Sequence, residues 1–302
     1  MKIMVSGIGG VGGYLASILC ANYKDVTLIA RKARKEALLK NGLVLHSKYF
    51  GEHVAHPPVT DDPASAGIQD YIFVCVKNYS LEEALRSLLP CIDEHTIVAL
   101  IMNGVDHLAV AQKILTKGHL VDAAIYINSA YNPDYSIQQN SDFARLFIGS
   151  DDKEAAQKIF SLIDHEGFER HLAEDIKVQI WNKFITNCAF NVITAYYEKM
   201  LDAIFALPDG KKEFHTLLTE SHSVARALGI NVAPDLAEKI YDDRVNRKSL
   251  HSTSSLARDV IARRQSELET FSGYLVRAAH ELKLPVPLSE KMYKAIKERL
   301  AH

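Results

Sequence analysis

The chain has 302 residues and only four cysteines, Cys20, Cys75, Cys91 and Cys188. They are scattered, sit mostly in apolar runs and share no metal-ligand spacing, so they read as reduced core residues rather than a disulfide framework or a metal centre. Charge of one sign is also lacking: 35 Lys+Arg stand against 37 Asp+Glu. That balance gives no global attraction to nucleic acid or to a membrane surface, so a phosphate-bearing ligand would need a local basic patch. No apolar run is long enough to span a bilayer. No signal peptide is expected, because the first strand begins at Lys2, and no repeat or low-complexity segment occurs. The expectation is a cytoplasmic protein with core enough for two domains.

The most informative stretch is the first one. A short apolar run from Lys2 leads directly into Gly7-x-Gly9-x-x-Gly12, and an apolar segment from Tyr14 to Leu19 follows at helical spacing. This is the strand–turn–helix setting of a dinucleotide fingerprint. Gly7 permits the tight turn, Gly9 lets a pyrophosphate approach the backbone, and Gly12 lets the helix sit close to the strand. Ile8, Gly10 and Val11 complete the turn, whose amides would face the phosphates. An ordinary glycine-rich turn with no ligand is the alternative.

A second strand, Val26 to Ala30, ends at Arg31, with Lys32 and Arg34 close behind. NAD-binding folds place an acidic residue at this point for the ribose hydroxyls. A guanidinium suits a 2′-phosphate instead, so NADPH is the expected cofactor; a solvated basic turn is the alternative. Residues 43–60 look like two short strands, around Ser47-Lys48 and Gly51-Glu52. The buried runs 71–76 and 96–101 read as parallel strands. They end in Lys77 and Asn103, at the rim where ligands of open α/β sheets collect, although Asn103-Gly104 is also a turn dipeptide. Further strands are expected from Leu120 to about Ser129, from Phe143 to Ile148 and from Phe168 to Leu172, with an amphipathic helix at 152–165.

From Glu174 the strand signals stop and long helical patterns follow. The predicted organisation is a doubly wound Rossmann-type α/β domain over 1–173 and an all-helical domain over 174–302. In the first long helix Lys183, Asn187 and Asn191 fall at i, i+4 and i+8 and line up along one stripe. Asparagine is a mediocre helix former, so the stripe is either a hydrogen-bonded seam between helices or a polar wall for a substrate.

Taken together, these features resemble the ketopantoate reductase (2-dehydropantoate 2-reductase) family along nearly the whole chain. The resemblance rests on Gly7 to Gly12, Arg31, Val-Lys77, Asn103-Gly104, the run Trp181 to Ala195 carrying Lys183, Asn187 and Asn191, and the segments Ser254-Ser255-Leu256-Ala-Arg-Asp259 and Ser266-Glu267-Leu-Glu269. Departures are mild, with Leu256 for Met, and Ser266, Leu268 and Glu269 for Thr, Ile and Asp. The resemblance implies NADPH-dependent reduction of ketopantoate to pantoate, a step of pantothenate and coenzyme A biosynthesis. It implies Lys183 as proton donor, Glu267 beside the reacting centre, Asn187, Asn191 and Ser255 as substrate ligands, and Lys77 and Asn103 along the cofactor. The partner is then a small 2-oxo acid; the sequence leaves a homodimer open. A reductase of another 2-oxo acid and a non-catalytic NADPH sensor are the rivals. The sensor has no need of a proton donor such as Lys183.

Reach adds one expectation. Ser255 and Glu267 are twelve residues apart, ~18 Å along a straight helix. If both touch one small molecule, the helix breaks between Ala262 and Ser266. Burial of Lys183 is expected to lower its pKa, and Glu267 to oppose that.

Overall fold

The computed structural model describes residues 1–48, 51–247 and 250–301. The chain divides into two compact units, Met1–Ile176 and Lys177–His302.

Among its described residues the first unit holds the strands β1 (Ile3–Ser6), β2 (Val26–Ile29), β3 (Leu43–Ser47), β4 (Gly51–Ala55), β5 (Val59–Thr60), β6 (Tyr71–Val74), β7 (Ile97–Ile101), β8 (His119–Tyr126), β9 (Ser129–Tyr131), β10 (Ile137–Gln139), β11 (Ala144–Gly149) and β12 (Phe168–Leu172). Its helices are α1 (Gly10–Asn22), α2 (Lys32–Asn41), α3 (Leu81–Leu88), α4 (His107–Ile114) and α5 (Lys153–Leu162). Eight strands form one sheet in the order β12-β11-β8-β7-β6-β1-β2-β5. Chain order reverses between β1 and β6, which is the switch point of a doubly wound sheet. The central strands are apolar on both faces because both faces are covered. Ile3 and Val5 of β1 join a core with Tyr14, Leu15 and Ile18 of α1 and Ile159 of α5. Met4 faces the other way, into a core with Leu81 and Leu85 of α3 and Ala111 of α4.

Two features differ from the sequence reading. The described residues of 43–60 carry three strands rather than two, and β3 and β4 leave the main sheet. They form a second sheet, β4-β3-β10-β9, with the hairpin that follows β8. In addition, β11 enters the main sheet antiparallel to β8 and pairs parallel with β12, which is the edge. Local alternation marks a strand but not its partner, so the pattern alone could not assign these pairings.

The second unit is helical: α6 (Ile176–Tyr197), α7 (Leu201–Phe205), α8 (Gly210–Ala227), α9 (Leu236–Val245), α10 (Ser255–Ile261), a π-helical turn at Glu269–Gly273, α11 (Tyr274–Glu281) and α12 (Pro287–Ala301). No helix among the described residues is long and apolar enough to cross a membrane. The break after α10 lies where the reach argument requires it. Arg263 adopts a left-handed φ of 52°. Its amide donates to Val260 O at 3.0 Å, and the Arg264 amide to Asp259 O at 2.9 Å. Together these bonds close a Schellman motif that ends the helix.

Candidate active site

In the first unit the candidate residues gather at the carboxyl ends of the central strands of the main sheet. Register pairs Ser6 with Val74 and Val74 with Leu100, so the chain leaves β1, β6 and β7 at a common rim. Gly7, Lys77 and Asn103 follow those strands in turn. Gly7 turns the chain at φ +95°, and the Gly9 amide donates back to Gly7 O at 2.9 Å. A Cβ on Gly12 would lie 2.0 Å from Gly7 O and 2.9 Å from Cys75 Cβ, so glycine is what lets α1 rest on the turn. A Cβ on Gly10 would lie 2.3 Å from Ser129 O, whereas one on Gly9 would meet nothing within 4 Å. The turn is therefore packed from below at Gly12 and Gly10 and open at Gly9, beside the unpaired first amides of α1. That open face has the shape and polarity a pyrophosphate needs. The loops after β6 and β7 are tied together by Asn78 Nδ2, which donates to Asp106 Oδ1 at 3.0 Å.

Arg31 follows β2 after Ala30, is exposed, and pairs its guanidinium with Glu83 of α3. Arg34, which the sequence marked only as a basic neighbour, reaches the glycine turn itself. Its guanidinium donates to Ile8 O and lies 4.2 Å from the Tyr131 ring centroid and 5.0 Å from that of Tyr135. Burial holds its pKa below the usual arginine value. The tyrosines belong to the β9–β10 hairpin, over 90 residues away in sequence, so no local signal could have linked them to the turn.

The second unit holds the other group. Trp181, Phe184, Ile185, Cys188, Ala189 and Val192 bury the apolar side of α6. Lys183 and Asn187 are half-buried, and Asn191 is 6% exposed. The Phe184 ring meets Tyr274 edge-on at 5.7 Å and Phe271 at 6.3 Å, packing the segment that follows Glu267 onto α6 beside Lys183. Glu267 is only 2% exposed. Of the arginines near it, Arg264 pairs with Asp259 at 3.0 Å and Arg263 donates to Arg299 O. Burial pulls the Lys183 amine down from 10.5 to about 8, while the Glu267 charge opposes that fall. Glu269 anchors the π turn, accepting from Tyr293 Oη at 2.6 Å, Arg277 at 2.9 Å and Lys297 at 3.1 Å. Single π turns of this kind are frequent at functional sites.

Ser255 is the first residue of α10 and half-buried. Its neighbour Ser254 does the positioning. The buried Ser254 Oγ caps the helix by accepting from the Ala257 amide at 3.0 Å, and Thr194 Oγ1 of α6 donates to it at 2.8 Å. This pair joins the start of α10 to α6 near Asn191. The Ser-Ser dipeptide before an apolar run was the available signal for the cap; Thr194 gave none.

Comparison with known proteins places this geometry in context. Family models described as ketopantoate reductase PanE/ApbA and its C-terminal region match residues 3–153 and 175–300. A Bacillus subtilis protein named uncharacterized oxidoreductase YkpB is 29% identical over 298 residues, 97% of each chain. The 2-dehydropantoate 2-reductase of Mesorhizobium japonicum is 29% identical over 254 residues, 76% of this chain and 77% of that one. Among solved structures, D-mandelate dehydrogenase with NADH and anilino(oxo)acetate superposes with a TM-score of 0.90 at 18% identity, covering 100% of this chain and 99% of that one. That last likeness is one of fold.

Proposed function

Because the chain belongs to the ketopantoate reductase PanE/ApbA family, and is thereby an oxidoreductase, we propose that it reduces the ketone of ketopantoate to pantoate with NADPH. The observation that carries the reading is Lys183: a half-buried amine with a pKa near 8, facing a buried carboxylate, on the same helical stripe as two asparagines. A bound reduced nicotinamide would supply the hydride, with the open Gly9 turn holding its pyrophosphate and Arg31 its 2′-phosphate. The chain's own residues handle the charge and the proton. Hydride addition to C2 turns the carbonyl oxygen into an alkoxide. The Lys183 ammonium stabilises that charge and delivers a proton to the oxygen. Asn187, Asn191 and Ser255 hydrogen-bond the substrate without adding charge. Glu267 keeps enough of Lys183 protonated near neutrality for this to work.

The pH dependence follows in sign. Reduction needs the ammonium, so kcat/KM for the oxo acid is expected to fall as pH rises through about 8. Oxidation of the hydroxy acid needs the free amine and rises through the same range. Glu267→Gln removes the charge that holds the amine's pKa up, so both limbs shift to lower pH. A pH–rate series on wild type and variant in both directions checks this, and an unmoved limb would remove Glu267 from the proposed role.

The cofactor assignment is tested with NADPH against NADH. Wild type is expected to prefer NADPH, and Arg31→Ala to lose that preference by roughly 10- to 100-fold, as expected for a charge-assisted contact to phosphate. An unchanged ratio would point to Arg34 or another cation instead. The substrate is tested by NADPH oxidation with ketopantoate beside a panel of other 2-oxo acids. The fold shared with a D-mandelate dehydrogenase favours one second reading, a reductase of a different 2-oxo acid with the same lysine chemistry. Turnover with another oxo acid but not with ketopantoate would move the proposal there. Homodimeric assembly and a cytoplasmic location complete the proposal; light scattering tests the first and cell fractionation the second.

A further inference from the structure

Arg244 lies in the last turn of α9. Its guanidinium carbon sits 4.9 Å from the centroid of the Phe190 ring of α6. The side chain is half-buried, and among the described residues its guanidinium makes no hydrogen bond and no ion pair. The neighbouring Asp243 is engaged by Arg247 at 2.6 Å. Three other half-buried arginines lie over aromatic rings, and each has an oxygen partner: Arg34 has Ile8 O, Arg170 has Phe160 O at 2.8 Å, and Arg299 has Glu198 at 3.1 Å. Burial, with the like charge of Arg247, pulls the Arg244 guanidinium down from 12.5 to about 10. A cation withdrawn from water without a counter-charge is costly, and such groups concentrate at binding sites.

Its place along α6 says what it would bind. Phe190 follows Lys183 by seven residues and Asn187 by three, so all three lie on one helical face. Side chains on a helix lean toward its N-terminus, which carries the Phe190 ring, and the guanidinium over it, toward Asn187. Phe190 is ~10 Å beyond Lys183 along the axis, a separation spanned by a small oxo acid between an ammonium at its carbonyl oxygen and a guanidinium at a carboxylate. A guanidinium stacked on a ring keeps its N–H fork free at the edge for two parallel bonds to a carboxylate.

We propose that Arg244 is the carboxylate-binding residue of the substrate site, holding an anionic carboxylate of the 2-oxo acid reduced at Lys183. This rests on the reductase reading above. The carboxylate is either the one beside the ketone or the distal group of a dicarboxylic oxo acid.

The test compares wild type, Arg244→Gln and Arg244→Lys on a monocarboxylic 2-oxo acid, its methyl ester and a dicarboxylic 2-oxo acid. In Arg244→Gln the preference for acid over ester in kcat/KM is expected to collapse by roughly 10- to 100-fold, the equivalent of losing a charge-assisted bidentate contact. The loss falls on KM more than on kcat, and Arg244→Lys recovers part of it. A penalty on both acids assigns the carboxylate beside the ketone; a penalty on the dicarboxylic acid alone assigns the distal group. Monocarboxylic acid, ester and dicarboxylic acid all losing equally, or none of them losing, would overturn the proposal. If wild type reduces no oxo acid, the reductase reading fails on its own. Arg244 is then judged by binding: thermal stabilisation by pantoate is expected in wild type and absent in Arg244→Gln, and equal stabilisation of both would sink the assignment.

Discussion

Lys183→Met is expected to lower kcat/KM for 2-oxo acid reduction by ~10²–10⁴-fold, the range a positioned proton donor contributes. Methionine fills a similar volume without charge, so the loss isolates the ammonium from the packing of α6. NADPH affinity, assigned to the glycine turn and Arg31, stays near wild type. The variant also removes one charge from a pair whose other member, Glu267, is 2% exposed. Leaving a buried carboxylate without its counter-ion costs ~3–5 kcal/mol, so Lys183→Met is expected to melt earlier. The double variant Lys183→Met with Glu267→Gln separates the two effects. It is expected to regain stability while remaining inactive, because neutralising the carboxylate relieves the burial penalty but restores no acid. Activity recovered together with stability would show that Lys183 acts only through the fold, and the proposed chemistry would fall.

The second large effect is a contrast within the glycine turn. Gly12→Ala is expected to cost at least ~3 kcal/mol, at the severe end of overpacking. Its Cβ would stand 2.0 Å from a backbone oxygen of Gly7, and neither α1 nor β1 can yield without disturbing the core they share. Gly9→Ala meets no atom within 4 Å, and its φ of −94° is open to any residue. Its stability is expected to stay within ~0.5 kcal/mol of wild type, with the damage falling on nucleotide affinity. Thermal melts without nucleotide, paired with NADPH titration, read both halves. Normal NADPH binding by Gly9→Ala would mean that the turn is not a phosphate cradle.

What the sequence determined by itself is local or periodic. The strand–turn–helix at Gly7 to Gly12 follows from a buried apolar strand, glycines at three fixed places and an apolar helical repeat, all within about twenty residues. The stripe of Lys183, Asn187 and Asn191 follows from 3.6 residues per turn. The interruption between Ala262 and Ser266 follows from the reach of a straight helix, once Ser255 and Glu267 are taken to serve one small molecule. None of these inferences needs to know which distant segment packs against which.

Tertiary structure alone decided the rest, because each remaining feature depends on a partner remote in sequence. Strand propensity in 43–60 and 129–139 is compatible with either sheet, and only hydrogen-bond pairing sends β3 and β4 into the second sheet while β5 stays in the first. An arginine after β2 is visible in the sequence; its pairing with Glu83, and the reach of Arg34 to Ile8 O across the tyrosines of the β9–β10 hairpin, are not. Ser254 as the cap of α10 is legible in the Ser-Ser dipeptide; the hydroxyl that Thr194, sixty residues earlier, donates to it is not. The amine of Lys183 and the guanidinium of Arg244 both have lowered proton affinities. Those come from desolvation, a property of the packed neighbourhood that no spacing along the chain encodes.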